Sequence, residues 1–309
     1  MAGLIQLGKQ RREPKPEWLK VRMPGGGRYE QVRRTLRELN LATVCEEASC
    51  PNMGECWASG TATVMLMGDV CTRGCRFCDV SSGMPAPLDP LEPRHLAEAV
   101  SRLGLDYLVV TSVNRDELPD GGAAHFAQAI VELRRAAPST LVEVLTPDFQ
   151  GRRDALQMII DAGPTVAAHN LETVLRLTPR VRDRRASYQQ SLEVLRFYQA
   201  GGMRTKSSIM LGLGETRDEV VTAMRDLRAV DCDILTLGQY LRPSEKHLAV
   251  EEWVRPEVFA ELEQEGLALG FKFVAAGPLV RSSYKAGEFF VKNWAGGPAA
   301  ERSGAVGIG

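Results

Sequence analysis

Six of the seven cysteines lie between positions 45 and 78, in two unequal triplets: Cys45, Cys50, Cys56 and Cys71, Cys75, Cys78. The second triplet has the spacing Cys-x3-Cys-x2-Cys within Cys71-Thr-Arg-Gly-Cys75-Arg-Phe-Cys78. Three thiolates on one short loop hold three corners of an iron–sulfur cube and leave the fourth iron without a protein ligand. An iron with an open position binds a small molecule and passes it an electron. The first triplet, Cys-x4-Cys-x5-Cys, is a second three-thiolate set. Two such sets so close together point to two clusters and to redox chemistry.

Two other uses of cysteine compete. A disulfide framework does not suit a long chain with ample apolar residues and no secretory signal. Zinc ribbons pair two Cys-x2-Cys knuckles, and only Cys75/Cys78 has that spacing. Thiolates bind both zinc and iron–sulfur clusters, so ligand type alone does not separate them. The Cys-x3-Cys-x2-Cys spacing resembles the signature of the radical S-adenosylmethionine superfamily. That resemblance implies an open iron that chelates the amino and carboxylate groups of the cofactor, which is then cleaved to a 5′-deoxyadenosyl radical.

Further polar groups recur after apolar segments. Asn114, Arg115 and Asp116, in a run continuing to Gly122, suit either a cofactor site or a charged surface loop. His169 and Asn170 have the chemistry to bond a ribose or carboxylate; the plainer reading is a helix N-terminal turn, with Glu172 favouring the positive end of the dipole. Gly212 and Gly214 permit close backbone approach to a ligand, although Thr216 with Glu219 also reads as a capping box. Arg242 is suited to a carboxylate. Cys232, far from both triplets, reads as a buried structural thiol. The first triplet lacks a fourth ligand; Ser282 or Ser283 has an oxygen for it, although serine is a hard ligand and usually caps turns.

The elements that must position these groups follow a βα rhythm. Strands are expected at Thr61–Met67, Tyr107–Thr111, Leu141–Leu145, Thr165–His169, Lys206–Leu211 and Ile234–Gln239. Amphipathic helices are expected at Arg94–Leu103, His125–Ala136, Asp154–Ala162, Ser187–Ala200 and Arg217–Ala229, with another at Pro256–Leu269 before the apolar stretch Phe271–Ala275. Six such units imply parallel strands with right-handed crossovers and an α/β fold, a partial (β/α)6 barrel with N- and C-terminal extensions. The Cys71–Cys78 loop directly follows the first strand, at the C-terminal mouth where such folds place their chemistry. The expected division is an arm, helix and cysteine loop over 1–57, a barrel core over 58–275, and a C-terminal extension over 276–309 with a fraying Gly/Ala tail. A helical pattern covers Tyr29–Leu39, and Trp18 is the candidate anchor of the arm before it.

Apolar residues make up 44% of the 309, enough for a sizeable core. A net charge of −1 gives no general case for a nucleic-acid binder, and no apolar run is long enough to span a bilayer. Thiolate ligands without an export signal point to a reducing cytoplasm. Residues 1–40 are locally basic, with ten Lys/Arg against four Asp/Glu. This is either a solvated arm or a docking arm for an acidic partner.

Taken together, the motifs resemble the lipoyl synthase family over roughly residues 15–290. The first triplet resembles the family's auxiliary-cluster motif and the second its cofactor-cluster motif. Arg281-Ser-Ser-Tyr-Lys-Ala286 resembles a C-terminal motif whose serine ligates the auxiliary cluster; the serine beside Tyr284, Ser283, is the one the resemblance favours. VTSVNRDELPDGGA, AHNLET, LGLGET and QYLRPS are also similar. The resemblance implies two 4Fe-4S clusters and S-adenosyl-L-methionine. The substrate would be an octanoyl-lysine on a lipoyl carrier domain, of a 2-oxoacid dehydrogenase E2 subunit or the glycine cleavage H protein. Deoxyadenosyl radicals would abstract hydrogen at C6 and C8, with the auxiliary cluster as sulfur donor. A ferredoxin or flavodoxin and an iron–sulfur carrier protein would be further partners. The radical does the chemistry, so no side chain acts as acid or base.

Overall fold

The computed structural model describes residues 15–20, 25–47, 50–58 and 61–283. Most of the basic arm, Tyr284 and the Gly/Ala tail lie outside the described residues. Eight strands form one sheet: β1 (Ala42–Thr43), β2 (Thr61–Leu66), β3 (Tyr107–Ser112), β4 (Leu141–Leu145), β5 (Val166–Ala168), β6 (Thr205–Leu211), β7 (Ile234–Gln239) and β8 (Phe273–Gly277). Their spatial order is their sequence order. From β2 to β8 every pairing is parallel, and β1 adds antiparallel to β2.

Both faces of a parallel sheet are covered, so its strands need no polar alternation. β2 and β7 are buried at every position. The long helices α4 (Glu92–Leu103), α5 (Ala123–Ala136), α6 (Arg153–Ala162), α8 (Tyr188–Ala200), α9 (Arg217–Arg228) and α10 (Pro256–Ala268) each bury an apolar stripe against the sheet. Short helices α2 (Val44–Glu47), α3 (Met53–Ala58) and α7 (Thr178–Val181) belong to the site loops. The expected capping box is present: Thr216 accepts from the Glu219 amide, and Glu219 accepts from the Thr216 amide.

The six expected βα units are all present, as a partial barrel that is open among the described residues. The sheet is longer than six strands because β1 adds at one edge and β8, which straddles the expected boundary at 275, adds at the other. The apolar segment after α10 pairs in register with β7, Phe273 against Ile234 through Gly277 against Gly238. On the other edge, α1 (Gly27–Glu38) packs Tyr29, Val32 and Leu36 into the same core as Trp57 and β2. Tyr29 stacks on Trp57 with ring centroids 5.1 Å apart. The arm is anchored by Leu19, which is buried, and not by Trp18, which is 39% exposed. Cys232 is fully buried, as expected of a structural thiol.

One buried ion pair crosses the barrel. Lys206 Nζ donates to both Glu143 oxygens at 2.8 and 2.9 Å, and Tyr107 Oη donates to Glu143 Oε2 at 2.7 Å. Glu143 and Lys206 sit in β4 and β6, with the short β5 between them. Removing one partner leaves an uncompensated charge. Lys206→Met is therefore expected to lower unfolding free energy by about 3–5 kcal/mol, and Lys206→Met with Glu143→Leu to recover most of it. Urea midpoints of the three proteins check this; equal midpoints for the single and double variants would refute it.

Candidate functional site

The second cysteine triplet leaves β2 through a left-handed turn at Met67 (φ 69°) and Gly68 (φ 89°). Glu92 fixes that turn by accepting the Met67 amide, and His125 Nε2 lies 2.6 Å from the same carboxylate. The loop then closes on itself, because Val70–Cys71 pairs with Ser81–Ser82 and Gly83 N donates to Cys71 O at 2.9 Å. Its far side is tied to neighbouring loops: Arg76 N to Val181 O (2.9 Å), Leu248 N to Arg76 O (3.3 Å), and His247 Nε2 at 3.0 Å from Cys78 O.

Arg73 anchors the loop from inside. It is 4% exposed. Its Nε and Nη2 donate to Asp116 at 2.9 and 2.8 Å, and its Nη1 and Nη2 to Asp148 at 2.9 and 2.7 Å. The fork of the guanidinium thus joins the cysteine loop to the ends of β3 and β4 at once. Burial alone would raise the carboxyl pKa values, but the hydrogen bonds and charge of Arg73 override it and hold Asp148 down to about 2. Asp116 is lowered in the same way. Arg185 adds a second cation 3.3 Å from Asp116 and reaches the Thr72 carbonyl. Asp183 accepts from Gly74 N at 2.9 Å. Beside this network opens a polar cleft of about 440 Å³ lined by Asp116, Gln150, Arg185 and Gln190.

The sulfurs receive backbone N–H groups. Arg73 N and Asn114 N lie 3.4 and 3.3 Å from Cys71 Sγ, and Asp183 N lies 3.3 Å from Cys75 Sγ. Val80 donates from its backbone to Cys78. Burial raises the Cys75 and Cys78 thiols, Cys78 to about 12, against these donors. Among the described residues, no three Cys, His, Asp or Glu side chains converge as one metal ion requires, so the tight tetrahedron of a structural zinc does not match. The donor set suits a cube, which places its thiolates on separate irons.

The first triplet is assembled from two short helices and the loop between them. Cys45 lies on α2, Cys56 on α3, and both are buried. Burial, together with Cys50 and Cys56, pushes the Cys45 thiol up to about 12. The C-terminal segment comes to the same place. Asn52 Nδ2 donates to Leu279 O at 2.6 Å, and Arg281 is near enough to Cys50 to lower its raised pKa. Ser282 and Ser283 are half-buried in the turn that follows.

The remaining expected residues divide. Asn114 works through its backbone, accepting Thr72 N and Thr72 Oγ1 at 3.0 Å each. Arg115 is buried and donates to Met67 O and Ala86 O, holding the β2 exit. Asp116 belongs to the Arg73 network. His169 has both ring nitrogens occupied, by Thr146 O at 2.9 Å and Ser191 Oγ at 3.0 Å. Burial lowers its pKa to about 4, so it is neutral. Arg242 is exposed and donates to the His247 and Glu245 carbonyls. Asn170 is different: its Nδ2 donates to Glu172 Oε1 at 3.2 Å, while its Oδ1 is buried without a partner.

Glu172 is not in the first turn of a helix, as its sequence context had implied. It stands in a left-handed conformation (φ 68°) and extends β5 by a bridge to Ile209. Burial raises its carboxyl, and its charge raises Cys75 and Cys78. The signal was an i, i+2 spacing with Asn170, which puts both on one side of an extended chain. Gly212 answers to packing: a Cβ there would overlap the Gln239 amide and the Glu252 carbonyl. Its amide and that of Leu213 are capped by Glu215.

Comparison with known proteins adds to this geometry. A family model of the radical SAM superfamily matches residues 65–227, and one of the N-terminal domain of lipoyl synthase matches residues 1–50. A lipoyl synthase of Anaeromyxobacter sp. (strain Fw109-5) is 63% identical over 281 residues, covering 90% of this chain and 95% of that protein. One of Myxococcus xanthus is 60% identical, covering 90% and 94%. A mitochondrial lipoyl synthase of Branchiostoma floridae is 56% identical, covering 94% and 80%. Among solved structures, methylornithine synthase (PylB) has a TM-score of 0.54 at 13% identity, over 84% of this chain and 86% of that one, a likeness of fold.

The Arg73 network has a pH signature. Asp148 titrates lower in the folded chain than in the unfolded one, where its value is near the ordinary 3.8. The stability it contributes is present above about pH 4 and is lost as pH falls towards about 2. Arg73→Met is expected to destabilise the chain by about 3 kcal/mol or more at neutral pH. The gap from wild type should narrow in acid, as followed by denaturant unfolding at several pH values. A gap of constant size would rule out Asp148 as its source.

Proposed function

The chain belongs to the lipoyl synthase family, within the radical SAM superfamily, and we propose that it inserts sulfur at C6 and C8 of an octanoyl group amide-linked to a lysine of a lipoyl carrier domain. Family membership implies S-adenosylmethionine and a four-iron cluster. The finer reading has two clusters, one on Cys71, Cys75 and Cys78 and an auxiliary one on Cys45, Cys50, Cys56 and Ser283. One observation supports it: the segment just before Ser283 meets the first triplet, through Asn52 to Leu279 and Arg281 beside Cys50, which favours a serine as the fourth ligand of a three-thiol site.

When bound, the first of these clusters supplies the electron that cleaves S-adenosylmethionine, and the second supplies sulfur. The chain's own residues position and shield. Backbone N–H groups of Arg73, Asn114 and Asp183 bond the thiolate sulfurs and favour their charged form. The unpartnered Oδ1 of Asn170, with Glu172 next to it, is an acceptor for ribose hydroxyls near Cys75 and Cys78. His169 is neutral and adds no competing cation. A hard serine oxygen is released from iron more readily than a thiolate, which suits a cluster that gives up sulfur. Reaction at an unactivated carbon needs placement and exclusion of water more than acid–base groups. Octanoylated E2 subunits and H protein would be the carriers and a ferredoxin or flavodoxin the electron donor. An iron–sulfur carrier protein and a cytoplasmic location complete the reading. Among the described residues no helix is long and apolar enough to cross a membrane.

Incubating reduced enzyme with an octanoyl-lysyl peptide and S-adenosylmethionine tests the reading, with 5′-deoxyadenosine and peptide mass followed together. Wild type should hold about eight irons and eight sulfides per chain. Cys75→Ala should abolish 5′-deoxyadenosine formation. Ser283→Ala should still form it but thiolate the peptide about 100-fold less, because a ligand error near 1 Å is that costly. Full lipoyl product from Ser283→Ala would transfer the ligand role to Ser282 or to an external group. Asn170→Ala should weaken S-adenosylmethionine binding about ten-fold, the worth of one hydrogen bond, with iron content unchanged.

A further inference from the structure

Asn52 lies between Cys50 and Cys56 and is 3% exposed. Its backbone carbonyl accepts the Cys56 amide at 2.9 Å and opens α3, a place where asparagine commonly caps a helix with its side-chain oxygen. The bond it makes uses the other end of the amide. Nδ2 donates to Leu279 O at 2.6 Å, across 227 residues of sequence. A helix cap needs no such donor; aspartate would cap equally well and could not make it. The Asn52 backbone N–H also bonds Cys50. One residue therefore touches a thiol of the first triplet and the chain segment that carries Ser283.

The segment has a second seat. Val280 O lies over Gly238, where a Cβ would overlap it, so β7 admits the turn only because position 238 has no side chain. Val280 N closes the turn on Gly277 O at 3.0 Å. Arg281 follows and donates to Val280 O at 2.7 Å. Among the described residues no carboxylate is within ion-pair reach of it. A cation in that position attracts a negatively charged occupant of the first triplet.

We propose that Asn52 is a positioning residue, a latch whose side-chain amide holds the Leu279–Ser283 turn against the first cysteine triplet. Through that turn it sets the placement of Ser283 and of the Arg281 cation. The inference rests on the two-cluster reading only for its consequence on iron; the latch itself belongs to the metal-free chain.

The test compares wild type, Asn52→Asp and Asn52→Gln as full-length chains. Asn52→Asp keeps the shape and loses the donor; Asn52→Gln keeps the donor one methylene further out. In metal-free protein, amide hydrogen exchange at 279–283 should quicken in Asn52→Asp, stay slow in β3 and β7, and partly recover in Asn52→Gln. After anaerobic reconstitution, a chelator should extract half of the iron from Asn52→Asp about 10-fold faster or more, the usual cost of losing a group that supports a metal ligand. Gly238→Ala, which lifts the turn from its other seat, should do the same. Exchange and extraction equal to wild type would overturn the latch. Exchange quickened throughout the chain and not restored by Asn52→Gln would assign Asn52 to folding at large and overturn it equally. Wild-type protein with about four irons would refute the two-cluster reading, while the exchange arm still judges the latch.

Discussion

A guanidinium can face two carboxylates at once, and most of the site's geometry depends on Arg73 doing so. The Cys71–Cys78 loop has little regular structure of its own, two residues of ladder at its base. A loop of that kind is expensive to order unless strong, directional bonds hold it. Arg73 supplies four such bonds from the middle of the loop to Asp116 and Asp148, which stand at the ends of two different strands. Two buried carboxylates against one cation would leave excess negative charge, and Arg185 beside Asp116 offsets it. The loop is thereby referred to the barrel itself, the most rigid body available, while Cys71, Cys75 and Cys78 remain only half-buried.

The barrel supports this by a division along its length. Tyr107, Val109, Val166 and Ile234 pack together at one level, with the Lys206–Glu143 pair beside Tyr107. Beyond the strand ends the side chains become polar: Asn114 to Asp116, Asp148, His169 and Asn170. Asp116, Asp148 and His169 are bonded to protein groups, which fixes the walls of the mouth. That leaves few groups free for a ligand. Asn170 Oδ1 is one of several buried side-chain atoms without a partner among the described residues, and such an oxygen is costly unless another group meets it.

Segments flanking the six βα units complete the sheet and meet near the first triplet. β1 and α1 extend one edge, β8 the other, and the segments that bear the first triplet and Ser283 meet across Asn52 and Leu279. This pairing separates two tasks. The loop after β2 is bound to the barrel, whereas the first triplet is held by short helices and by a tail segment that touches it through few bonds.

Much of this was legible in the residues alone. The cysteine spacings named the chemistry, and the alternation of buried strands with amphipathic helices named the barrel. All six strands between Thr61 and Gln239 and the helices between them lie where hydrophobic periodicity placed them, because burial is a local, repeating demand on sequence. Roles of single polar residues were not legible. Asp116, Arg115 and His169 have the chemistry of ligands and are taken up by Arg73, by backbone carbonyls and by Ser191. Glu172 looked like a helix start and proved to extend β5. Arg73 and Asn52 carry no marker of their roles in the sequence, though they tie positions 75 and 227 residues apart. A hydrogen bond between distant residues leaves no period in the chain. Only the packed fold decides which donors find protein acceptors and which stay free for a substrate.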